Sequence, residues 1–345
     1  MTGVTGPSLW PGMSLLDEQL GIFETFSSAP YGVEGIPFFA VLGSHTPWGD
    51  ELGRTLALLD QVPVELGPHG WKMADRPGLD EQRVNQQLAL DLEALSIAAS
   101  GYDGDINIHV MGPWTLSALL YLARGDRALT DMGAVRELAQ SLTAGVHNFC
   151  GELKKLLPRT RVQVTVNEKL IGQIAAGVLP TFSGYSRISR VSGPTLVEQS
   201  TPFYESLTSA GIPVTVHVGD AWVGIAPTVL SGATRLAMDF GRTQSWNEQG
   251  WSAIARAVER GVGFSMGVPA PAVSQCAGPD LRALADTLLV PWQRIGLEQK
   301  RLSEVVLTLG ESAAQEAYRH GTQHARGTLA TVFRVAEYVA EKAAQ

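Results

Sequence analysis

Cysteine is nearly absent from this 345-residue chain. Only Cys150 and Cys276 occur, which excludes a disulfide framework and leaves room for one isolated bridge at most. Charge is sparse as well: Asp, Glu, Lys and Arg make up 17% of residues, with a net charge of −8 and a pI near 5.4. No clustered Lys/Arg excess is present to meet nucleic-acid phosphates; the densest basic stretch, "ELKKLLPRTR", reads as a helix end. Long apolar runs are missing too. No stretch approaches the roughly 20 apolar residues of a membrane helix, and "MTGVTGPSLW" lacks the charged-then-apolar order of a signal peptide. The expectation is a cytoplasmic protein whose partner is a small molecule rather than nucleic acid or membrane. Neither a GxGxxG following the first apolar run nor a GxxxxGK(S/T) loop exists, so nothing marks a dinucleotide or P-loop site.

What is present is an ordinary globular composition, 45% hydrophobic with mean hydropathy near zero, enough to bury a sizeable core. Short β-branched or apolar runs recur with helical patterns between them. They are Ile36–Leu42, Ile106–Gly112, Arg161–Val166, Pro213–Gly219, Thr234–Phe240, Gly263–Val268 and Val305–Gly310. Leu138, Leu142, Val146, Phe149, Leu153 and Leu156 repeat every three or four residues, the mark of one buried helix face. Leu329, Val332, Phe333, Ala336, Val339 and Ala340 do the same near the C-terminus. Capping-box pairs Thr195/Glu198, Ser245/Glu248 and Ser312/Gln315 mark helix starts.

Strands buried on both faces and separated by helices imply parallel pairing with right-handed crossovers. The pattern predicts a single (β/α)8 TIM barrel over residues 1–345, favoured over an open doubly wound sheet. In a barrel, chemistry collects at the C-terminal strand ends and the loops after them. Those ends supply His109, Met111 and Gly112, then Asn167 and Glu168, then His217, Asp220, Asp239 and Glu311. His109, inside its run, reads as a satisfied lining histidine. Asp220 and Glu311 each have a structural alternative, as a cap and as an acid favoured by a helix dipole. Asp239 follows "RLAM" on a buried strand and needs a partner. One histidine and two acids at neighbouring strand ends make a candidate metal or proton-transfer cluster.

Along nearly its whole length the chain resembles the C-terminal catalytic barrel of cobalamin-independent methionine synthase, within the uroporphyrinogen decarboxylase-related barrels. The resemblance rests on "TGPSLWPGM", "PVELGPHGW", "GPWTLSALL", "VQVTVNEKLIGQIAAGVLPTFSGYSR", "PVTVHVGDAW" and "GLEQKRLSEVVLTLGESAA". It implies zinc-dependent methyl transfer from methyltetrahydrofolate to the homocysteine thiol. That family holds zinc with an H-x-C motif, an acid and a second cysteine. Here His217 falls on the histidine and Asp239 approximately on the acid, but Gly219 and Glu311 stand where the two cysteines belong. The acid that holds the amino acid's ammonium in a family "DEP" is replaced by Asn167-Glu168-Lys169. The glycine-serine pair that meets the carboxylate is replaced by Ser8 and Leu9.

A His217/Asp239/Glu311 set offers hard ligands suited to Zn²⁺, Mn²⁺ or Fe²⁺. Three functions follow from these residues. The first is a methyltransferase with a rebuilt metal site, in which Asn167, Glu168, Ser8 and Asp220 bind substrate. The second is a barrel that binds a small molecule or a partner without turnover. The third is a metal-dependent lyase or hydrolase.

Overall fold

The computed structural model describes residues 1–239, 248–270 and 280–345. Eight strands form its main sheet: β1 (Thr2–Val4), β2 (Val33–Gly35), β3 (Asp105–Met111), β4 (Arg161–Asn167), β5 (Val214–His217), β6 (Arg235–Asp239), β7 (Gly263–Val268) and β8 (Val306–Leu309). Every pairing in this sheet is parallel, in the order β2-β1-β8-β7-β6-β5-β4-β3. Sequential strands are therefore neighbours around a curl, as in a βα repeat.

Each strand leads to a helix. In order these are α1 (Leu15–Ser27), α2 (Leu79–Ala98), α3 (Met132–Leu156), α4 (Gly193–Ser209), α5 (Ile225–Leu230), α6 (Glu248–Glu259), α7 (Leu281–Arg294) and α8 (Thr322–Ala343). The expected faces on α3 and α8 are realised except at Leu156, which is exposed: Leu138, Leu142, Val146, Phe149 and Leu153 are buried, as are Leu329, Val332, Ala336 and Val339. Two of the expected caps move. Ser192, not Thr195, caps α4, accepting the Thr195 N–H. The helix Glu311–His320 starts from Gly310, with Ser312 already inside it. Ser245 lies outside the described residues, as do Phe240 and Cys276.

Where the pattern predicts a closed barrel, the sheet is curled but not closed. β2 and β3 share no ladder; a single parallel bridge, Phe38 to Asn107, spans them. The run Ile36–Leu42, read as one strand, is divided. Ile36 donates to the Val4 carbonyl and Phe39 to the Asn107 carbonyl, while Val41–Leu42 pairs with Leu9–Trp10. Pro37 has no N–H to give, so a continuous ladder is interrupted there. The short strand Thr2–Val4, too brief for a periodicity to register, completes the set of eight.

Alternation along the strands settles what each face meets. Outward residues such as Ile106, Ile108, Val110, Val164, Val166, Val214 and Val216 are at most 1% exposed and join one apolar cluster running from Val4 to Val339. Inward positions toward the C-terminal ends are Thr165, Thr215, Ala237, Ser265 and Thr308. Barrel interiors of this type are usually filled by bulky branched side chains. Small ones leave space.

Candidate functional site

That space is a cavity at the C-terminal mouth, lined by residues from Thr5 to Ser8, by inward positions of β3 to β8, and by Lys169, Glu311 and Ala314. The space open to the centre of a water molecule is about 50 Å³. Of the residues expected at the site, Ser8, Asn167, His217, Asp239 and Glu311 all line it, and so does His109.

His217 ends β5, and Asp239 ends the adjacent β6. Their side chains face each other, with His217 Nε2 3.6 Å from Asp239 Oδ2. The Gly219 backbone N–H donates to His217 Nδ1 at 3.3 Å. A backbone N–H can only donate, so Nδ1 is an acceptor and the ring proton sits on Nε2, toward Asp239. Asp239 Oδ1 accepts the Glu311 N–H at 3.0 Å. Burial alone would raise the Asp239 carboxyl, but His217, Lys169 and the Glu311 N–H hold it below its ordinary value.

The Glu311 carboxylate is occupied as well. Oε2 accepts from Lys169 Nζ at 2.6 Å and Oε1 from Gln315 Nε2 at 3.0 Å. Burial opposes ionisation of Glu311, yet Lys169 and Gln315 bring its pKa below the usual carboxylate value. Lys169 answers in kind: burial pulls its ammonium down, while Glu51, Glu311 and Asp239 together hold it above its ordinary value. Asn167 donates through Nδ2 to Glu51 Oε1. Lys169 is a charged cavity-lining residue that sequence reasoning passed over. Its signal was the third position of "NEK", directly after a strand end.

Three buried polar atoms of residues that line this cavity have no hydrogen-bond partner among the described residues: Ser8 Oγ, His109 Nδ1 and Thr308 Oγ1. Ser8 and His109 are 6% and 7% exposed, so both atoms are desolvated. Asn107 Nδ2 lies 3.1 Å from His109 Nε2, and Asn107 Oδ1 is taken by the Thr165 hydroxyl at 2.9 Å. The amide therefore donates to Nε2 and leaves the His109 proton on Nδ1. That nitrogen faces the Gly6 carbonyl, which favours the proton, without reaching hydrogen-bond geometry. Burial, then Lys169 and His217, push His109 down to about 3, so the ring is neutral.

Glu168 and Asp220 are not among the cavity-lining residues. Glu168 is fully buried in the wall, where Oε1 accepts the Trp114 N–H at 3.0 Å and Oε2 the Thr115 N–H at 2.7 Å. It caps the helix Pro113–Leu119. Burial nevertheless raises its pKa to about 7, against those N–H groups. Asp220 is exposed, and the turn after it has Ala221, not Asp220, at its N-cap. Cys150 is buried in α3, where burial pushes its thiol up to about 12, far from a reactive thiolate.

The donors do not fit zinc in this arrangement. His217 presents an N–H rather than a lone pair at Nε2, and Glu311 is committed to Lys169 and Gln315. The position of the family's first cysteine is Gly219, with φ of +66°, a backbone state that L side chains rarely adopt. Among the described residues no three His, Cys, Asp or Glu side chains form a metal-holding group. No helix among them is long and apolar enough to cross a membrane.

No family profile matches the chain, and no curated protein matches it. Among solved structures it is similar to a B12-independent methionine synthase from Shewanella sp. W3-18-1, in complex with selenomethionine. The TM-score is 0.60 at 11% identity, over 99% of this chain and 97% of that one. Two epimerases match more loosely. The 3-keto-D-glucoside 4-epimerase from E. coli gives a TM-score of 0.40 at 11% identity over 96% and 99% of the two chains. D-psicose 3-epimerase gives 0.40 at 12% over 74% and 85%. The first likeness establishes a methionine-synthase-like, TIM-barrel-related fold; the other two are too low to carry an argument.

Proposed function

We propose that this chain is a methionine-synthase-like barrel whose mouth binds a small carboxylate-bearing molecule, of amino-acid size, through protein groups alone. The observation that carries this reading is the set of desolvated, unpartnered atoms Ser8 Oγ, His109 Nδ1 and Thr308 Oγ1 on one cavity. Leaving such atoms unpaired costs roughly 1 to 3 kcal/mol each, so a ligand that satisfies them gains affinity. Lys169 keeps ammonium protons beyond the one on Glu311, which favours acceptor oxygens over further donors. The selenomethionine bound by the structurally similar synthase supports an amino acid as the ligand.

Calorimetric titration with a panel of amino acids, homocysteine and methyltetrahydrofolate tests the reading. Ser8→Ala and His109→Gln should each weaken the best ligand by roughly two- to tenfold, the worth of one neutral hydrogen bond. Binding unchanged in both variants, or no saturable ligand in the panel, would sink it.

Methyl transfer from methyltetrahydrofolate to the homocysteine thiol is a second reading, supported by the fold shared with the B12-independent synthase across nearly both chains. Thiol activation by zinc is not served by the donors as they stand. Product methionine in an assay with both substrates, dependent on added Zn²⁺, would establish this reading over the first.

A further inference from the structure

His217, Asp239 and Glu311 all line the mouth, and each is turned to a protein partner. The partner they share is Lys169. Its Nζ lies 2.6 Å from Glu311 Oε2, and Glu311 in turn gives its backbone N–H to Asp239 Oδ1 at 3.0 Å. Asp239 then faces His217 at 3.6 Å. Lys169, Glu311, Asp239 and His217 form one connected chain of charge and hydrogen bonds along one side of the cavity.

We propose that the Lys169 ammonium is the resident cation of this mouth, standing in place of a divalent metal against Glu311 and Asp239. The physical case is one of charge and direction. Two carboxylates, one at the end of β6 and one just after β8, repel across the mouth unless a cation lies between or beside them. A metal supplies that charge but demands lone pairs from its ligands. An ammonium supplies it by donating protons, and so leaves the histidine free to keep its own proton on Nε2. The tautomer of His217 assigned from the Gly219 N–H agrees with an ammonium beside the acids. Gly219 itself belongs to the same arrangement. Its left-handed turn at φ +66° packs on Lys169, where a Cβ would stand 3.3 Å from the Lys169 carbonyl. The turn that removes a thiolate position is thus seated on the residue that supplies the replacement charge.

The side chain of Lys169 is partly open, with 37% of it reaching solvent. A ligand reaching the mouth would meet ammonium protons instead of an open coordination position. The inference rests on the mouth being the binding site only for its location, and its test uses metal ions rather than a ligand, so either reading can fail alone.

The test is titration of the full chain with Co²⁺, followed by its visible absorption, and competition by Zn²⁺. Wild type should show no saturable band. Lys169→Met, and separately Lys169→Ala, should take up one equivalent with an apparent affinity at least tenfold tighter than wild type, and adding Asp239→Asn to either should abolish the gain. Circular dichroism confirms that each variant is folded. Stoichiometric metal in wild type that is lost on His217→Ala would overturn the proposal, and so would folded Lys169 variants that acquire no metal.

Discussion

His217 Nε2 stands 3.6 Å from Asp239 Oδ2, while Gly219 donates its backbone N–H to His217 Nδ1. The pair is oriented, with proton position set by a backbone group that cannot itself change role. Nitrogen-15 spectra of the imidazole should therefore show a protonated Nε2 and a bare Nδ1 in the neutral ring. A spectrum with the proton on Nδ1 would refute this orientation and reopen Nε2 as a metal ligand.

Two buried groups should give the stability curve opposing slopes. Glu168 has its folded pKa raised to about 7 from 4.5. The folded state thus binds more protons than the unfolded one across that window, and stability falls as pH rises through it. His109 is lowered to about 3 from 6.5. Its contribution is complete above the unfolded value and is lost as pH falls through that window. Between about 4.5 and 6.5 the two nearly cancel. Glu168→Gln should expose the His109 slope, and His109→Gln the Glu168 slope, each up to about 1.4 kcal/mol per pH unit. Urea midpoints measured from pH 4.5 to 7.5 read both. Parallel curves for wild type and both variants would contradict the burial of these groups.

Gly112 presses against the same glutamate. A Cβ there would meet the Glu168 carboxyl carbon at 2.3 Å, so Gly112→Ala should be strongly destabilising and should cost much less in a Glu168→Ala background. Sites in contact couple by about 0.5 to 3 kcal/mol in such cycles. Additivity in denaturant unfolding would show that the clash relaxes elsewhere.

At Gly219 the cost is conformational. Gly219→Ala should lose about 1 to 2 kcal/mol from the left-handed backbone, and Gly219→Cys should lose as much without creating a tight metal site. Both are read by urea unfolding, the second also by Zn²⁺ titration.

Arg54 Nη2 bonds Asp91 Oδ2 at 2.6 Å and the Ala40 carbonyl at 2.8 Å, with Nη1 on the Phe39 carbonyl. Arg54 and Asp91 are 3% and 2% exposed. They pin the segment that bridges the seam between β2 and β3. Asp91→Asn leaves a buried guanidinium short of its counter-charge and should cost about 3 to 5 kcal/mol, with protease sensitivity appearing near residues 36 to 42. A loss below 1 kcal/mol would show that the clamp is dispensable.

The alternation of runs and amphipathic helices was enough to reach a parallel βα repeat, because period-2 and period-3.6 patterns reflect burial directly. The strand-end rule then located Asn167, His217, Asp239 and Glu311, and the family resemblance added Ser8; all line one cavity. It placed Glu168 and Asp220 there as well, although one caps a helix within the wall and the other is exposed, because neighbouring residues on a chain point to different sides. Thr2–Val4 and the break at Pro37 escaped notice, being too short or too irregular for a periodicity. Composition and pattern alone determined the class of fold and the end of the barrel where chemistry gathers. Only the tertiary structure decided which partner each charged group takes. Lys169 meets Glu311 across 142 residues of sequence, and Coulomb interactions depend on distance in space, to which sequence separation is blind.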